Sequence, residues 1–372
     1  MEEFRDQDIE DMNFVDSCFI CDDIFDMDDE DDDMDDEPNP VPEDDENLFE
    51  RLSEEVNQKA MEMMTLIELF IFSLILPENK ALVQSQQIKT SKAVMYLDSH
   101  DVLIVKLATL DNPENSMELG WEHSTGIDVE DPIGIKLGSQ YLDTHQHKLQ
   151  DWIEHLRTTF NITSIHILFN SDFLKIYDTE DLRPILKDIP KKSACTHSDL
   201  SNDQIHDVLV TFEIANLHLQ RVPERTFLWF STVLDSKYKT LNLGFAPEFV
   251  ISDLPRIKAN KLIVSTPNIE VQDVNRYLYE WTLGMNPRLK KLCLRIMNPR
   301  NDFDDGDLFV GIRPVIVNDE ETTRIFPLLP NTDLEREEVR GGYDITRWDE
   351  TKATIQIDHS PHYLRIQMYV WS

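Results

Sequence analysis

Leu217-His218-Leu219, Leu241-Asn242-Leu243, Leu262-Ile263-Val264 and Leu292-Cys293-Leu294-Arg295-Ile296 decide the fold. Each is a short apolar stretch with strand character. Between them lie longer segments at helical spacing, around Glu224–Leu234 and Val271–Leu283. Upstream, Val94-Met95-Tyr96-Leu97, Val102-Leu103-Ile104-Val105 and Ile165-His166-Ile167-Leu168-Phe169 read the same way, and Leu142–Phe160 reads as a helix. Residues 109–140 are polar and rich in turn formers. Downstream, Arg313–Val317, Ala353–Ile357 and Tyr363–Val370 read as strands around the turn Gly341-Gly342, where positive φ is available.

Strands repeating every 20–30 residues with a helix between them have the spacing of βαβ or leucine-rich-like repeats. Parallel strands need a crossover of that length. No strict consensus recurs, so the repeat is irregular. The close spacing of the last strands favours a short antiparallel cap. The expected class is α/β: a small helical unit, then an irregular βαβ sheet, then the cap.

The N-terminal end is different. Residues 1–50 hold 24 Asp or Glu and one cation, Arg5, out of 72 acidic and 35 basic residues in 372. Like charges at this density repel, and little apolar surface offsets the ordering entropy, so residues 1–47 read as a disordered acidic arm. Residues 48–90 read as helical, with Val56, Ala60, Met63, Met64, Ile67, Phe70, Ile71 and Leu74 at three- and four-residue spacing. Ser53 is placed to cap that stretch, and Pro77 to open a further short helix. This apolar stripe is either the core of a larger helical layer or a docking face for a partner. Residues 91–200 and 201–372 are expected to form the two parts of the α/β body.

Composition excludes several classes. A formal charge of −37 argues against nucleic acid and anionic membranes, since phosphate contacts need cations. The longest apolar run, Met63–Leu76, is 14 residues long and contains Glu68, short of the ~20 needed to span a bilayer. No signal peptide is legible, and four cysteines form no disulfide framework, so a reducing intracellular site, cytoplasmic or nuclear, is expected. Cys18-Phe19-Ile20-Cys21 lacks a second ligand pair for a metal. The Asp28–Glu37 run lacks the central Gly of a calcium loop. His145, His147, His359 and His362 read as surface or half-buried residues. No GxSxG, HExxH, P-loop or GxGxxG occurs. A non-enzymatic protein without cofactor is expected.

Residues 48–85 resemble a degenerate F-box. Leu52, Glu55, Val56, Leu69, Phe70 and Ser73 fit the pattern, while Ser53 stands where the family has proline. Residues 200–372 resemble the F-box-associated domain of the large nematode F-box families. Two blocks carry that likeness. One is Asp273-Val274-Asn275 with Trp281 and Gly284-Met285-Asn286-Pro287. The other is Gly341-Gly342-Tyr343-Asp344-Ile345-Thr346-Arg347-Trp348-Asp349, followed by Ala353-Thr354-Ile355 and the terminal Val370-Trp371. Glu350 stands where the family commonly has Gly.

The resemblance implies a substrate receptor of a Skp-cullin-F-box ubiquitin ligase. Leu52, Val56, Met64, Leu69, Phe70 and Leu74 would contact the Skp-type adaptor, and through it a cullin. The α/β domain would hold an unknown target protein. Leu69→Asp with Phe70→Asp is expected to abolish adaptor binding and leave the α/β domain folded. Asn275, Trp281, Asp344, Arg347 and Trp371 read as structural. Asn275 would cap or turn the strand-to-helix junction, Trp281 would be core, and Asp344 would pair with Arg347. The rival reading is an acidic-arm chaperone for basic proteins such as histones, with a non-functional F-box.

Overall fold

Helix α1 (Glu54–Glu62) ends in a turn, and Thr65 opens α2 (Leu66–Ile75) with a capping box. The Thr65 hydroxyl accepts from the Glu68 N–H at 3.2 Å, and Glu68 accepts from the Thr65 N–H at 2.7 Å. One apolar stripe in the sequence therefore becomes two helices. Pro77 sits in the first turn of α3 (Pro77–Ser85), where its missing N–H costs nothing. This is a computed structural model, and it describes residues 53–90, 93–97, 102–109, 112, 114–121, 135–137, 140–142, 148–297, 304–318, 323–327, 336–360 and 363–371. The expected acidic arm, Cys18 and Cys21, and Leu52 lie outside the described residues.

The chain divides into two units, Met1–Lys59 and Ala60–Ser372. The described part of the first is the opening of α1. The second is a mixed α/β unit built on one large sheet.

That sheet begins with β1 (Ala93–Leu97), β2 (Leu103–Ala108), β3 (Ser116–Trp121), β4 (Ile135–Leu137) and β5 (Gln140–Leu142). β2 to β5 run outward from β1 as an antiparallel edge. Residues 109–140, turn-rich in sequence, thus supply β3, β4 and the first residue of β5. Met117 and Leu119 alternate with Glu118 and Gly120 and are buried. The expected helix Leu142–Phe160 is shorter, because Leu142 closes β5 and α4 spans Leu149–Thr159.

From there the chain alternates. β6 (Ser164–Phe169), α5 (Ser171–Ile176) and α6 (Thr179–Leu186) lead to β7 (Lys191–Thr196) and α7 (Asn202–Thr211). β8 (Ile214–Arg221), α8 (Leu228–Asp235), β9 (Thr240–Phe245) and a 3-10 turn (Ile251–Arg256) follow. β10 (Lys261–Thr266), α9 (Val271–Thr282) and β11 (Lys291–Met297) complete the series. β1 and β6 to β11 pair in parallel, each beside the next in sequence order. Right-handed crossovers that always step the same way put the helices on one face. Leu217, Leu241, Leu262 and Leu292 align in register and are buried on that side. The boundary expected at residue 200 falls between β7 and β8, which are adjacent strands of one sheet.

The C-terminal end turns antiparallel. β17 (Tyr363–Trp371) pairs with β11, β16 (Lys352–His359) with β17, β15 (Gly342–Thr346) with β16, and β12 (Val315–Val317) with β15. β13 (Thr323–Pro327) and β14 (Arg336–Arg340) form a separate hairpin. Gly341 and Gly342, with φ of 63° and 103°, carry the chain from the hairpin back into the main sheet. A Cβ at Gly342 would come within 2.5 Å of the Ile355 carbonyl oxygen. Among the described residues no helix is long and apolar enough to cross a membrane.

Candidate functional site

Two sequence blocks about sixty residues apart meet around the end of α9. Trp281 is fully buried, with Val274, Tyr277 and Leu278 on the same helix face. The Arg347 guanidinium lies over the Trp281 ring at 5.4 Å. The Trp348 N–H donates to the Thr282 carbonyl at 2.9 Å. Gly284, with φ of 106°, lets the Trp348 indole lie against the backbone, since a Cβ there would be 2.4 Å from its Nε1. Trp348 is nevertheless 74% exposed, and Leu283 beside it 63%.

Three expected roles change. Asn275 lies inside α9 and caps nothing. Its Nδ2 donates to the carbonyls of Leu308 and Val310, both at 2.9 Å, tying α9 to a second 3-10 turn (Asp305–Phe309). Asp344 and Arg347 do not pair. Asp344 lies inside β15, and Arg347, an odd number of residues on and just past the strand's end, turns to the opposite side. Asp344 takes a bidentate bond from Arg324, at 3.0 and 3.1 Å. Arg347 grips Asp349, at 2.9 and 2.7 Å, and holds that carboxyl well below the usual aspartate range. Glu350 adopts a left-handed φ of 68°.

The sheet face away from the helices carries polar residues in register: Lys261, Lys291, Tyr369, Thr354 and Asp344 on successive strands. The β13–β14 hairpin sits on this row. Glu337 bonds the Lys291 ammonium and accepts from the Tyr369 hydroxyl at 2.6 Å. Burial pushes Glu337 up, but these two bonds outweigh it and its pKa falls below the ordinary value. Burial, then the Glu337 charge, raises Tyr369 far above a normal phenol. Phe326, Val339 and Tyr369 form a buried cluster with Trp371 packed against it. The Trp371 Nε1–H donates to Thr354 Oγ1 at 2.7 Å, and Arg324 stacks over its indole at 5.0 Å. Sequence reasoning missed this hairpin. Arg336-Glu337-Glu338-Val339-Arg340 has one apolar residue; Glu338 pairs locally with Arg340, but Glu337 is matched only by distant partners.

The residues expected to meet an adaptor are scattered by environment. Val56 is exposed, and Met64 and Leu74 are half-buried. Leu69 and Phe70 are interior. The Phe70 ring packs on Trp152 at 5.9 Å and edge-on to His155 at 5.7 Å, both on α4. Ser73 Oγ bonds His155 Nε2 at 2.8 Å, and Asn115 Oδ1 accepts from the Leu66 N–H at 2.9 Å. Side chains so engaged make no surface contact without leaving their sites. Met63, Ile75 and Leu76 are exposed apolar residues of the helical segment, Leu76 the least so.

A family model described as F-box associated matches residues 229–294, from within α8 through β11. That match supports an F-box-associated domain in this part of the chain. No curated protein matches the chain. No solved structure matches it either.

Proposed function

We propose that the chain is the substrate-recognition subunit of a Skp-cullin-F-box ubiquitin ligase. The observation that carries this reading is the F-box-associated match at residues 229–294, downstream of three short helices over residues 54–85. Domains of that description accompany F-boxes, and the helical segment stands where an F-box would. The mechanism is proximity and not bond chemistry. The helices dock a Skp-type adaptor and through it a cullin, while the leucine-rich-like sheet holds a target. Ubiquitin transfer then gains from the raised effective concentration of target lysines. Adaptor contact falls to the exposed Met63 and Ile75, with Met64 and Leu74 at the margin. The full chain mixed with a Skp-type adaptor and a cullin should co-elute as one complex in gel filtration. Separate elution of all three would refute the assignment.

The acidic N-terminal segment motivates the second reading. With a net charge of −23 over residues 1–50, it is suited to basic proteins. Deleting residues 1–47 tests this. Histone binding unchanged in physiological salt would remove the chaperone idea.

A further inference from the structure

The six parallel strands β6 to β11 contain no Asp or Glu. The whole chain carries 72 in 372 residues, and at that frequency these 39 strand residues would hold about seven. Strand propensity is not the reason. The antiparallel strands of the same protein hold Glu118, Glu337, Glu338, Asp344 and Asp358. Charge as such is not excluded either, because the parallel strands keep Lys191, Lys192, Arg221, Lys261, Lys291 and Arg295. Only the negative sign is missing.

Lys261, Lys291 and Arg295 alternate with the buried leucines and so lie on the face away from the helices. Arg295 on β11 stands directly opposite Arg365 on β17. Two like charges in that position repel. One carboxylate, Asp358, pairs with Arg365 at 2.5 Å. Among the described residues no carboxylate bonds Arg295. The Nε atoms of both arginines are shielded from water and donate to no acceptor. A buried guanidinium N–H without an acceptor is costly, and here two facing guanidinium groups share a single carboxylate, Asp358. The covering hairpin anchors at Lys291, four residues or about 13 Å along the strand from Arg295.

We propose that this face of β10, β11 and β17 binds an acidic, extended segment of the target protein, with a carboxylate bridging Arg295 and Arg365. The inference rests on the receptor reading and names the chemistry of its target. Asp or Glu on β10 and β11 would repel such a ligand, and both strands lack them.

The test uses the full chain and a short fluorescein-labelled Glu-rich peptide, with a Gln-rich peptide of equal length beside it. Anisotropy should show salt-sensitive binding of the Glu-rich peptide alone. Arg295→Glu should weaken it about tenfold or more, and Arg295→Lys should retain most of it. Equal binding by Arg295→Glu, with the melting transition intact, would overturn the proposal. So would no binding by the wild type, including the case where residues 1–50 crosslink to the face and take the place themselves. Adaptor co-elution separates the two claims. A complex that forms without peptide binding sinks only the acidic-segment proposal. Peptide binding without a complex sinks the receptor reading and leaves the face as a binding surface.

Discussion

α2 and α9 carry apolar stripes of the same kind, and both turn them to the interior, α9 wholly and α2 in part, though their sequences invite different readings. On α9 the stripe Val274, Tyr277, Leu278 and Trp281 reads as core and is core. On α2 the stripe Ile67, Phe70, Ile71 and Leu74 reads equally well as a docking face; Phe70 is buried against Trp152 and His155, while Ile67, Ile71 and Leu74 stay half-buried. Periodicity records that a face leaves water. It does not record what covers the face. That depends on α4, about eighty residues away in sequence.

The largest effects test this equivalence. Phe70→Asp puts a charge into a packed site and should cost several kcal/mol of unfolding free energy, about as much as a large core truncation. Trp281→Ala should cost about 3–5 kcal/mol by the same urea titration. If Phe70→Asp left the melting of the sheet unchanged, the helical segment would fold independently and the comparison would fail. Asn275→Ala sharpens the account of α9. It leaves two carbonyls without their donor and should cost about 1–3 kcal/mol.

A smaller effect depends on pH. The pKa of Glu337 is lower folded than unfolded, so its stabilisation is present above the ordinary value of 4.5 and is lost as pH falls through the folded one. Hydrogen exchange should show β13 and β14 losing protection in acid before the central strands do. Glu337→Gln should remove that difference. Smallest of all, Glu350→Gly relieves a left-handed backbone and should stabilise the protein by about 0.5–1 kcal/mol. Unchanged stability there would mean that the Glu350 side chain contributes as much as the strain costs.

The parallel body was legible because its strands are short apolar stretches at regular intervals. Leu241–Leu243 and Leu262–Val264 read correctly on local pattern alone. β7, with Lys191-Lys192-Ser193-Ala194-Cys195-Thr196, was not, because its burial comes from the strands on either side. The β13–β14 hairpin was not legible for a related reason. Glu337 is explained by Lys291 and Tyr369, and Arg324 by Asp344, partners that no local window contains. The pairing of Asp344 with Arg347 failed on strand parity, which is clear once Gly342–Thr346 is known to be extended. Of the candidate site, the motif blocks were legible and their junction through Trp348 and Gly284 was not.

The central claim is adaptor binding, and a pull-down of the purified full chain on an immobilised Skp-type adaptor tests it most directly. Wild type should be retained. Met63→Asp with Ile75→Asp, which alters exposed positions and should leave the fold intact, should be lost. Wild type washing through, or the double variant retained as well as wild type, would contradict the account.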